Sequence, residues 1–414
     1  MLSADVKRKL REGIEEFSLP FDSARWAEEA RQAFAQLRLE GDVRALSAPS
    51  CTSRSILQLA APASPFRRTF GLDGGSTRPL HFANGTTLCA NQAVMVSEPP
   101  LELDGLPLDA FCTVALVTHS FAASGGPRAD YREERPGLLA LWRLHLTRDY
   151  LRGEIDHVVK GLADSASEAC HALRMAERLE LGPGDLLLLD GNVFPIGLYY
   201  LVSTGGLRRE VDLASFPGAL QALAQHLRLA EALAERGTAY CGINKSPQTA
   251  YLLGSLPEEG PWADDRQLIR ALFHGLAKDR LGWTNWFLQE RYRTSPQPRA
   301  SEGSELFREL RWLELQRPPE DYSLAYFFVY DPRTAGRMGS VLKVEVPWLI
   351  LKGQEPEELQ RVILSEIARG VGVPNVIRRA DSRARITQRE RESFIRGSSL
   401  PPDLGYNQGR GEPW

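Results

Sequence analysis

The segment that decides the fold is Arg67–Met95, RRTFGLDGGSTRPLHFANGTTLCANQAVM. Its first apolar residues predict a strand that ends at Asp73, and TTLCANQAVMV, from Thr86, predicts a second strand. The Asp-Gly and Gly-Gly pairs between them are typical of a tight turn. A turn is therefore the simplest explanation of Asp73, and a chemical role for it requires further carboxylates elsewhere in the chain.

Three later segments extend the predicted sheet. AFCTVALVTHSF, which ends at Phe121, predicts a third consecutive strand that is covered on both faces. GPGDLLLLDGN predicts a short buried strand that ends in a second Asp-Gly pair, at Asp190. GTAYCGINKSPQT predicts a strand followed by a loop that carries Lys245.

The remaining segments predict helices, loops and one hairpin. Apolar spacing predicts two helices within residues 4–41, mostly helix over 137–180, and further helices over 217–236 and 356–370. Gly- and Pro-rich residues 123–137 predict a loop, residues 264–315 a helical insertion, and residues 324–350 a hairpin. The fold class is α/β, with a mixed sheet flanked by helices.

Three domains are expected along the chain. They are an N-terminal helical extension over residues 1–55, a main domain over 56–395 that contains the insertion, and a flexible tail over 396–414.

The composition excludes several classes of protein. Among 414 residues, 43% are hydrophobic and 25% are charged, and the net charge of -3 gives no overall attraction to a polyanion. The five cysteines form no CxxC pair, which argues against a zinc ribbon and a disulfide framework. The N-terminus is charged and amphipathic, and no apolar run approaches the ~20 residues that span a bilayer. We therefore expect a cytoplasmic protein with no membrane partner.

Asp73 and Asp190 form a pair of similar carboxylates, each at the end of an apolar strand and each followed by glycine. If the two strands are neighbours, both carboxylates face one crevice at the strand ends, where α/β sheets bind ligands. Hard divalent cations prefer such oxygen ligands. No two histidines lie three or four residues apart, so a helical zinc site is not expected. The residues alone leave the turn and the metal site open.

Five segments occur in a characteristic order: FGLDGGSTRPLHFANG, LLLLDGN, GINKS, VLKVEVP and GVPNVIRRADSRARI, from Phe70 to Ile386. This order resembles the motifs of the NurA nucleases, archaeal and bacterial enzymes that process DNA ends. The resemblance implies an RNase H-like core and a nuclease that depends on two Mn²⁺ or Mg²⁺ ions. It further implies 5′ to 3′ degradation of DNA, internal cleavage of single strands, a homodimer and docking onto the hexameric HerA ATPase.

The resemblance also implies roles for individual carboxylates. Asp73 matches the aspartate of the family's first strand, and Asp190 matches the aspartate of its DG motif. The family places a glutamate on the helix before the DG strand, and Glu168 lies at about the expected distance. Glu177 and Glu154 are the alternatives, and the competing explanation of each is a solvated helix face.

Three further positions match the family less directly. Lys245 matches a lysine that would contact phosphate, although an ordinary surface lysine is an equal alternative. Glu345 matches an acidic motif residue, with Lys343 where arginine is usual, and we favour a cross-strand ion pair there. Asp381 stands where many members have histidine, and it remains a competent ligand for Mn²⁺ or Mg²⁺.

Two segments are candidates for DNA contact. RLGWTNWFLQERYRTSPQPR interleaves aromatic and basic side chains, a mixture suited to stacking on bases, and RRADSRAR is a basic run beside Asp381. The candidate residues are Trp283, Trp286, Arg291, Arg293, Arg378, Arg379, Arg383 and Arg385. The competing explanation is that both tryptophans belong to the core.

These observations favour a metal-dependent DNA nuclease, with Asp73, Glu168, Asp190 and Asp381 as ligands and Lys245 as a charge stabiliser. It would process DNA ends in double-strand break repair. One alternative is an RNase H-like nuclease acting on RNA or recombination junctions. The other is an inactive scaffold that binds a partner ATPase.

Overall fold

The structure is a computed structural model that describes residues 3–17, 23–37, 43–82, 87–121, 128–135, 139–146, 152–194, 217–247, 249–258, 260–289, 317–334 and 339–396. Its strands are β1 Val43–Ala45, β2 Cys51–Ser55, β3 Arg68–Ser76, β4 Leu80–His81, β5 Thr87–Glu98, β6 Glu102–Leu103, β7 Leu106–Pro107, β8 Cys112–Phe121, β9 Arg128–Arg135, β10 Leu139–Leu146, β11 Asp185–Asp190, β12 Ala239–Asn244, β13 Arg280–Thr284, β14 Phe287–Gln289, β15 Leu324–Asp331 and β16 Ser340–Pro347. Its helices are α1 Ala4–Phe17, α2 Ser23–Ala35, α3 Ile56–Ala60, α4 Arg152–Arg178, α5 Pro217–Glu235, α6 Asp265–Leu272, α7 Trp348–Leu351, α8 Pro356–Arg369, α9 Asn375–Ala384 and α10 Gln388–Arg396.

Fourteen of the described strands join into one mixed sheet. Its path is β1–β14–β15–β16–β12–β11–β3–β5–β8–β10–β9, and β2, β4 and β13 pair beside this path. Strands β3, β5 and β8 are successive antiparallel neighbours, as the sequence predicts. The predicted α/β class with a mixed sheet is confirmed.

The centre of the sheet is buried because its strands are apolar on both faces. Leu186–Leu189 of β11 are at most 1% exposed, and β11 runs parallel to both β3 and β12. A strand with this composition needs a helical layer on each side. Helix α4 packs on one face, against β3, β5 and β8, while α9 packs against β3, β5 and β11.

The two helices cover opposite faces of β3, as its glycines show. A β-carbon on Gly71 would lie 2.5 Å from the backbone of Val376 in α9. A β-carbon on Gly74, which points the other way, would meet Glu168 of α4. Carboxylates from both layers can therefore approach the same strand.

Three predicted segments differ from the observed elements. Part of the expected loop over 123–137 is strand β9, and part of the expected helix over 137–180 is strand β10. Within the described part of the expected helical insertion, residues 264–289, only α6 is helical, because β13 and β14 extend the sheet. Residues 290–315 of that segment lie outside the described residues. These segments are strands because they pair with other strands of the sheet, and the local periodicity of the sequence does not reveal such pairing.

The N-terminal segment contains the two predicted helices and also two strands. β1 pairs with β14 and β2 pairs with β13, so residues 43–55 belong to the sheet and are not part of a purely helical extension. Ala30 and Phe34 of α2 are buried in a cluster with residues of α6. The apolar side chains of α1 are exposed instead: Val6 by 43%, Leu10 by 52% and Ile14 by 69%.

No helix in the described ranges combines the length and the apolar character that crossing a bilayer requires.

Candidate active site

Strand β3 continues through Asp73 to Ser76, so the predicted end of the strand at Asp73 is wrong, and the chain does not form there the tight turn that the sequence left open. Gly74 and Gly75 stay in the strand and pair with Ala93 and Gln92 of β5. A β-carbon on Gly75 would lie 1.9 Å from the carbonyl oxygen of Ala384, at the end of α9. Both glycines are therefore explained by the close approach of neighbouring helices.

The strands that carry Asp73 and Asp190 are neighbours, as predicted. Leu189 pairs with Leu72 in parallel register, so Asp190 follows beside Asp73. Strand β11 ends at Asp190, and Gly191, with φ of 128°, turns the chain away. Beyond this point β3 pairs only with β5 among the described strands. The sheet opens next to Asp73, which gives the carboxylates of both layers access to one place.

Helix α9 brings Asp381 to the same opening. Its buried side chains, Val376, Ile377, Ala380 and Ala384, fix the helix on the sheet. Asp381 is half-buried beside that apolar face, and its Oδ2 lies 2.8 Å from Nη2 of Arg385.

Asp73, Asp190 and Asp381 form the centre of the site. Each offers a carboxylate oxygen, and these oxygens all lie within 4.8 Å of one another. Burial, reinforced by the charges of Asp190 and Asp381, raises the pKa of Asp73 to about 8. Burial also raises the pKa of Asp190, against the opposing effect of Lys245. Crowded, buried carboxylates of this kind are stabilised in the charged form by a cation.

Glu168 approaches the centre from α4. Burial raises the pKa of Glu168 well above its usual value, and the charges of Asp164, Asp73 and Asp190 add to the effect. Glu177 is exposed, because nine residues at about 100° each place it on the opposite side of the helix. The side chain of Glu154 lies outside the described residues, and its backbone is about 21 Å away along the helix axis, at about 1.5 Å per residue. Of the three candidates, the structure brings Glu168 to the aspartates.

Lys245 lies at the rim of the site. It follows β12, the parallel neighbour of β11, and its ammonium forms an ion pair with the carboxylate of Asp190. Its side chain is 39% exposed, so the ammonium borders both solvent and the carboxylates. The charge of Lys245 also acts to lower the pKa of Asp73.

A family model of the NurA domain matches residues 67–386, more than half of the chain. The chain belongs to the NurA domain family. The resemblance seen in the sequence motifs is thereby confirmed.

Three solved NurA structures resemble the chain at low identity. The NurA nuclease from Sulfolobus solfataricus is 13% identical, with a TM-score of 0.46 over 95% of this chain and 96% of that one. A NurA structure with manganese is 11% identical, with a TM-score of 0.42 and coverage of 95% and 96%. A NurA structure bound to dAMP and manganese is 11% identical, with a TM-score of 0.40 and the same coverage. No curated protein is a significant match to the sequence.

The four arginines proposed for DNA contact near Asp381 lie on α9 and directly after it. Arg378, Arg379, Arg383 and Arg385 are all exposed. Arg379 donates to the carbonyl of Ser97 over 3.2 Å, and Nε of Arg383 lies 2.9 Å from Oδ2 of Asp109. Arg378 and Arg385 lie about one helical turn on either side of Asp381, and Arg385 contacts its carboxylate.

The predicted stacking of bases on two tryptophans is wrong. Trp283 and Trp286 are 8% and 4% exposed and belong to the main core. The indole of Trp286 donates to the carbonyl of Pro356 over 3.1 Å and packs edge-on against Phe327. Arg291 and Arg293 lie outside the described residues.

Lys343 and Glu345 do form an ion pair, but the two residues lie within one strand and are buried, so the predicted cross-strand pair is wrong. Both residues belong to β16 and lie on one face of that strand. Their charged atoms are 2.8 Å apart, and neither side chain is exposed.

The site predicted from the sequence omits two polar residues near Glu168, Asp164 and Asn91. Asp164 precedes Glu168 by one helical turn and accepts a hydrogen bond from the amide of Asn91. Asn91 is fully buried and accepts a hydrogen bond from the hydroxyl of Ser167. The four-residue spacing of Asp164 and Glu168 is visible in the sequence, whereas the contact with β5 is not.

Proposed function

We propose that this NurA-family nuclease hydrolyses DNA with Mn²⁺ or Mg²⁺ held by Asp73, Asp190 and Asp381, with Glu168 completing the ligand set. The observation that carries the proposal is the convergence of three carboxylate oxygens within 4.8 Å of one another. They come from two strands and a helix that are distant in the chain. Carboxylate oxygens are the ligands that both ions prefer.

The spacing of the three oxygens fits one hexacoordinate ion. Two oxygens on opposite sides of Mg²⁺ lie about 4.2 Å apart when each bond is about 2.1 Å. At most one pair of the three oxygens can lie on opposite sides of the ion, and the other pairs would lie about 3.0 Å apart, so the side chains would close around the ion from their observed spacing of up to 4.8 Å. Two such ions, when bound, activate water and stabilise the leaving oxygen of a phosphodiester. Glu168, on the opposite face of β3, would complete the binding of the second ion.

The remaining side chains of the site would bind the DNA backbone. Lys245 can exchange its contact with Asp190 for a phosphate oxygen, because its ammonium is partly exposed at the rim. Arg378 and Arg385 would neutralise further phosphates beside Asp381. Arg379 and Arg383, which are also exposed, would neutralise phosphates farther from the carboxylates. The overall charge of -3 requires such a local basic surface for DNA to approach.

Family membership supports the finer description of the activity. The protein would degrade DNA from 5′ to 3′, cleave single strands internally and process ends in double-strand break repair with a HerA-type ATPase in the cytoplasm. The RNase H-like classification of the core, the domain limits and these activities stay predictions.

The proposed homodimer is supported by the surface of α1. Val6, Leu10 and Ile14 form one exposed apolar stripe. The charged residues beside this stripe differ along the helix: the middle carries Lys7, Arg8, Lys9 and Arg11, and the C-terminal part carries Glu12, Glu15 and Glu16. Two copies of α1 packed antiparallel would cover both stripes and bring opposite charges together.

Cleavage of labelled substrates tests the proposed function. Single-stranded DNA, duplex DNA and RNA, each labelled at either end, are incubated with Mn²⁺ and the parent, Asp73→Asn or Asp190→Asn protein. We expect the parent to cleave DNA. Each variant should cleave more than about 100-fold more slowly, because losing a metal ligand costs more than losing a residue that only supports a ligand. Preferential cleavage of RNA would favour the alternative of an RNase H-like nuclease that acts on RNA. A folded parent that neither binds Mn²⁺ nor cleaves would favour the scaffold.

A further inference from the structure

The buried pair of Lys343 and Glu345 is connected to the active site. Nζ of Lys343 lies 2.8 Å from Oε1 of Glu345, and it also lies 4.4 Å and 4.6 Å from the ring centres of Tyr251 and Tyr326. Removing two charges completely from water is costly, and apolar residues of similar size often stabilise a protein equally well. Stability alone therefore does not explain this pair.

The second oxygen of Glu345 holds the chain that leaves Asp190. Oε2 of Glu345 accepts a hydrogen bond from the backbone N–H of Val193 over 3.3 Å. Gly242 pairs with Glu345 in the neighbouring strand β12. A β-carbon on Gly242 would lie 2.5 Å from the oxygen of Gly191 and 2.9 Å from the nitrogen of Val193. The absence of a side chain at Gly242 lets residues 191–193 pack down to Glu345.

Other contacts hold the same loop, among them one between Nδ1 of His226 and the carbonyl oxygen of Val193 at 3.2 Å. The N–H of Gly191 donates to the carbonyl of Ile243 over 3.1 Å. The amide of Asn244 donates to Oδ1 of Asn192 over 2.9 Å. Glu345 adds a buried charged acceptor, and hydrogen bonds to charged groups are the stronger class.

Lys343 connects this acceptor to the loop that follows Lys245. Its ammonium faces the ring of Tyr251, in a loop held by the buried carboxylate of Asp265. Asp265 accepts hydrogen bonds from Thr249 Oγ1 and the backbone N–H groups of Tyr251, Leu252 and Leu253, over 2.8 Å to 3.1 Å. The charge of Lys343 also acts to lower the pKa of Asp265. One buried cation thus lies between the segments that follow Asp190 and Lys245.

We propose that Glu345, held by Lys343, is a positioning residue that fixes the carboxylate of Asp190 for metal binding. It acts through the N–H of Val193 and contacts neither the ion nor the DNA. This inference rests on the proposed metal site.

Two double variants isolate the hydrogen-bond acceptor from the charges. Lys343→Met is combined with Glu345→Gln, whose side-chain oxygen can still accept from Val193, or with Glu345→Leu, which cannot. Thermal unfolding verifies that both are folded, and calorimetry measures Mn²⁺ affinity. We expect the Leu double variant to bind Mn²⁺ at least about 10-fold more weakly than the Gln double variant, the range of an outer-shell contact. Its kcat should fall while its KM for DNA is kept.

Hydrogen exchange provides a measurement that does not depend on activity. The amides of residues 191–193 should exchange faster in the Leu double variant than in the Gln double variant. Equal exchange and equal Mn²⁺ affinity in the two would overturn the proposal. A parent that binds no Mn²⁺ would instead overturn the proposed function, while unequal exchange would still support the contact with Val193.

Gly242→Ala tests the same loop with the ion pair intact, should the Leu double variant fail to fold. The added methyl displaces the backbone of residues 191–193. We expect weaker Mn²⁺ binding with a cooperative unfolding transition. Mn²⁺ affinity equal to that of the parent would show that the loop does not position Asp190.

Discussion

A β-carbon on Gly74 would lie 2.5 Å from Oε1 of Glu168, so the strand and the helix meet without space for a methyl group. Because Gly74 has no side chain, the carboxylate of Glu168 has room to approach Asp73. Gly74→Ala should displace Glu168 and reduce cleavage by about 10-fold to 100-fold, as for a lost outer-shell contact. Single-turnover cleavage with Mn²⁺ measures this effect.

Gly13→Ala is the matched control for that substitution. No atom lies within 4 Å of a β-carbon at Gly13, which belongs to the exposed helix α1. It should leave the rate unchanged and stabilise the helix by up to about 1 kcal/mol. Full activity in Gly74→Ala would show that the contact with Glu168 has no role in cleavage.

Glu168 and Glu177 lie on opposite sides of α4, so their substitutions should differ sharply. Glu168→Gln removes a charge next to Asp73 and Asp190, and should lower the cleavage rate more than about 100-fold, beyond the cost of an outer-shell contact. Glu177→Gln alters only an exposed position and should cleave like the parent. Inactivity of Glu177→Gln alone would show that the assigned glutamate is wrong.

Asp381 is a metal ligand in the proposed site, whereas its contact with Arg385 could also be a surface ion pair worth about 0–1 kcal/mol. Asp381→Ala should lower the rate by orders of magnitude and raise the Mn²⁺ concentration needed for activity. Asp381→His should retain substantial activity, because imidazole is also a ligand for Mn²⁺. Metal titrations of cleavage compare the two, and parent-like activity of Asp381→Ala at low Mn²⁺ would leave only the ion pair.

The raised pKa of Asp73 predicts how stability depends on pH in the metal-free protein. Between its ordinary value of 3.8 and its folded pKa of about 8, Asp73 keeps a proton when folded and loses it when unfolded. Rising pH therefore favours unfolding across this window, by up to about 1.4 kcal/mol per pH unit for one proton. Thermal unfolding in chelator from pH 5 to 8 should show this loss, and Asp73→Asn should reduce it. Identical pH profiles would exclude Asp73 as the group responsible.

The exposed stripe of α1 predicts where two copies meet. Leu10→Glu combined with Ile14→Glu should convert a dimer to a monomer, because both side chains are more than half exposed in the single chain. Light scattering measures the mass, and Leu57→Glu, at an 80% exposed position of α3, is the matched control. A double variant that stays dimeric would place the interface elsewhere. Truncation should end at Phe17, because Ala30 and Phe34 belong to the core.

The sequence predicts the positions of Asp73 and Asp190 correctly because a buried parallel strand has a distinctive apolar pattern. The pattern does not show that β3 continues beyond Asp73, since Gly74 and Gly75 have the composition of a turn. Glycine is needed at both positions because α4 and α9, which are distant from β3 in the chain, pack closely against the strand there. Close packing of this kind has no local sequence pattern.

Burial explains the other differences. Trp286 looks suited to stacking on bases, yet its ring packs on Phe327 of β15, a strand that follows much later in the chain. Lys343 and Glu345 look like a surface pair, since charged residues are rarely buried, but β12 and β15 flank them on both sides. The resemblance of motifs identifies the family, while only the three-dimensional arrangement brings Asp381 to Asp73.

A crystal of the protein soaked in Mn²⁺, with the ion located by its anomalous scattering, tests the metal site directly. We expect Mn²⁺ bound by oxygens of Asp73, Asp190 and Asp381 at about 2.0–2.6 Å, with Glu168 bound directly, through water or to a second ion. Mn²⁺ found elsewhere at saturating concentration, with these three aspartates unbound, would contradict the proposed active site.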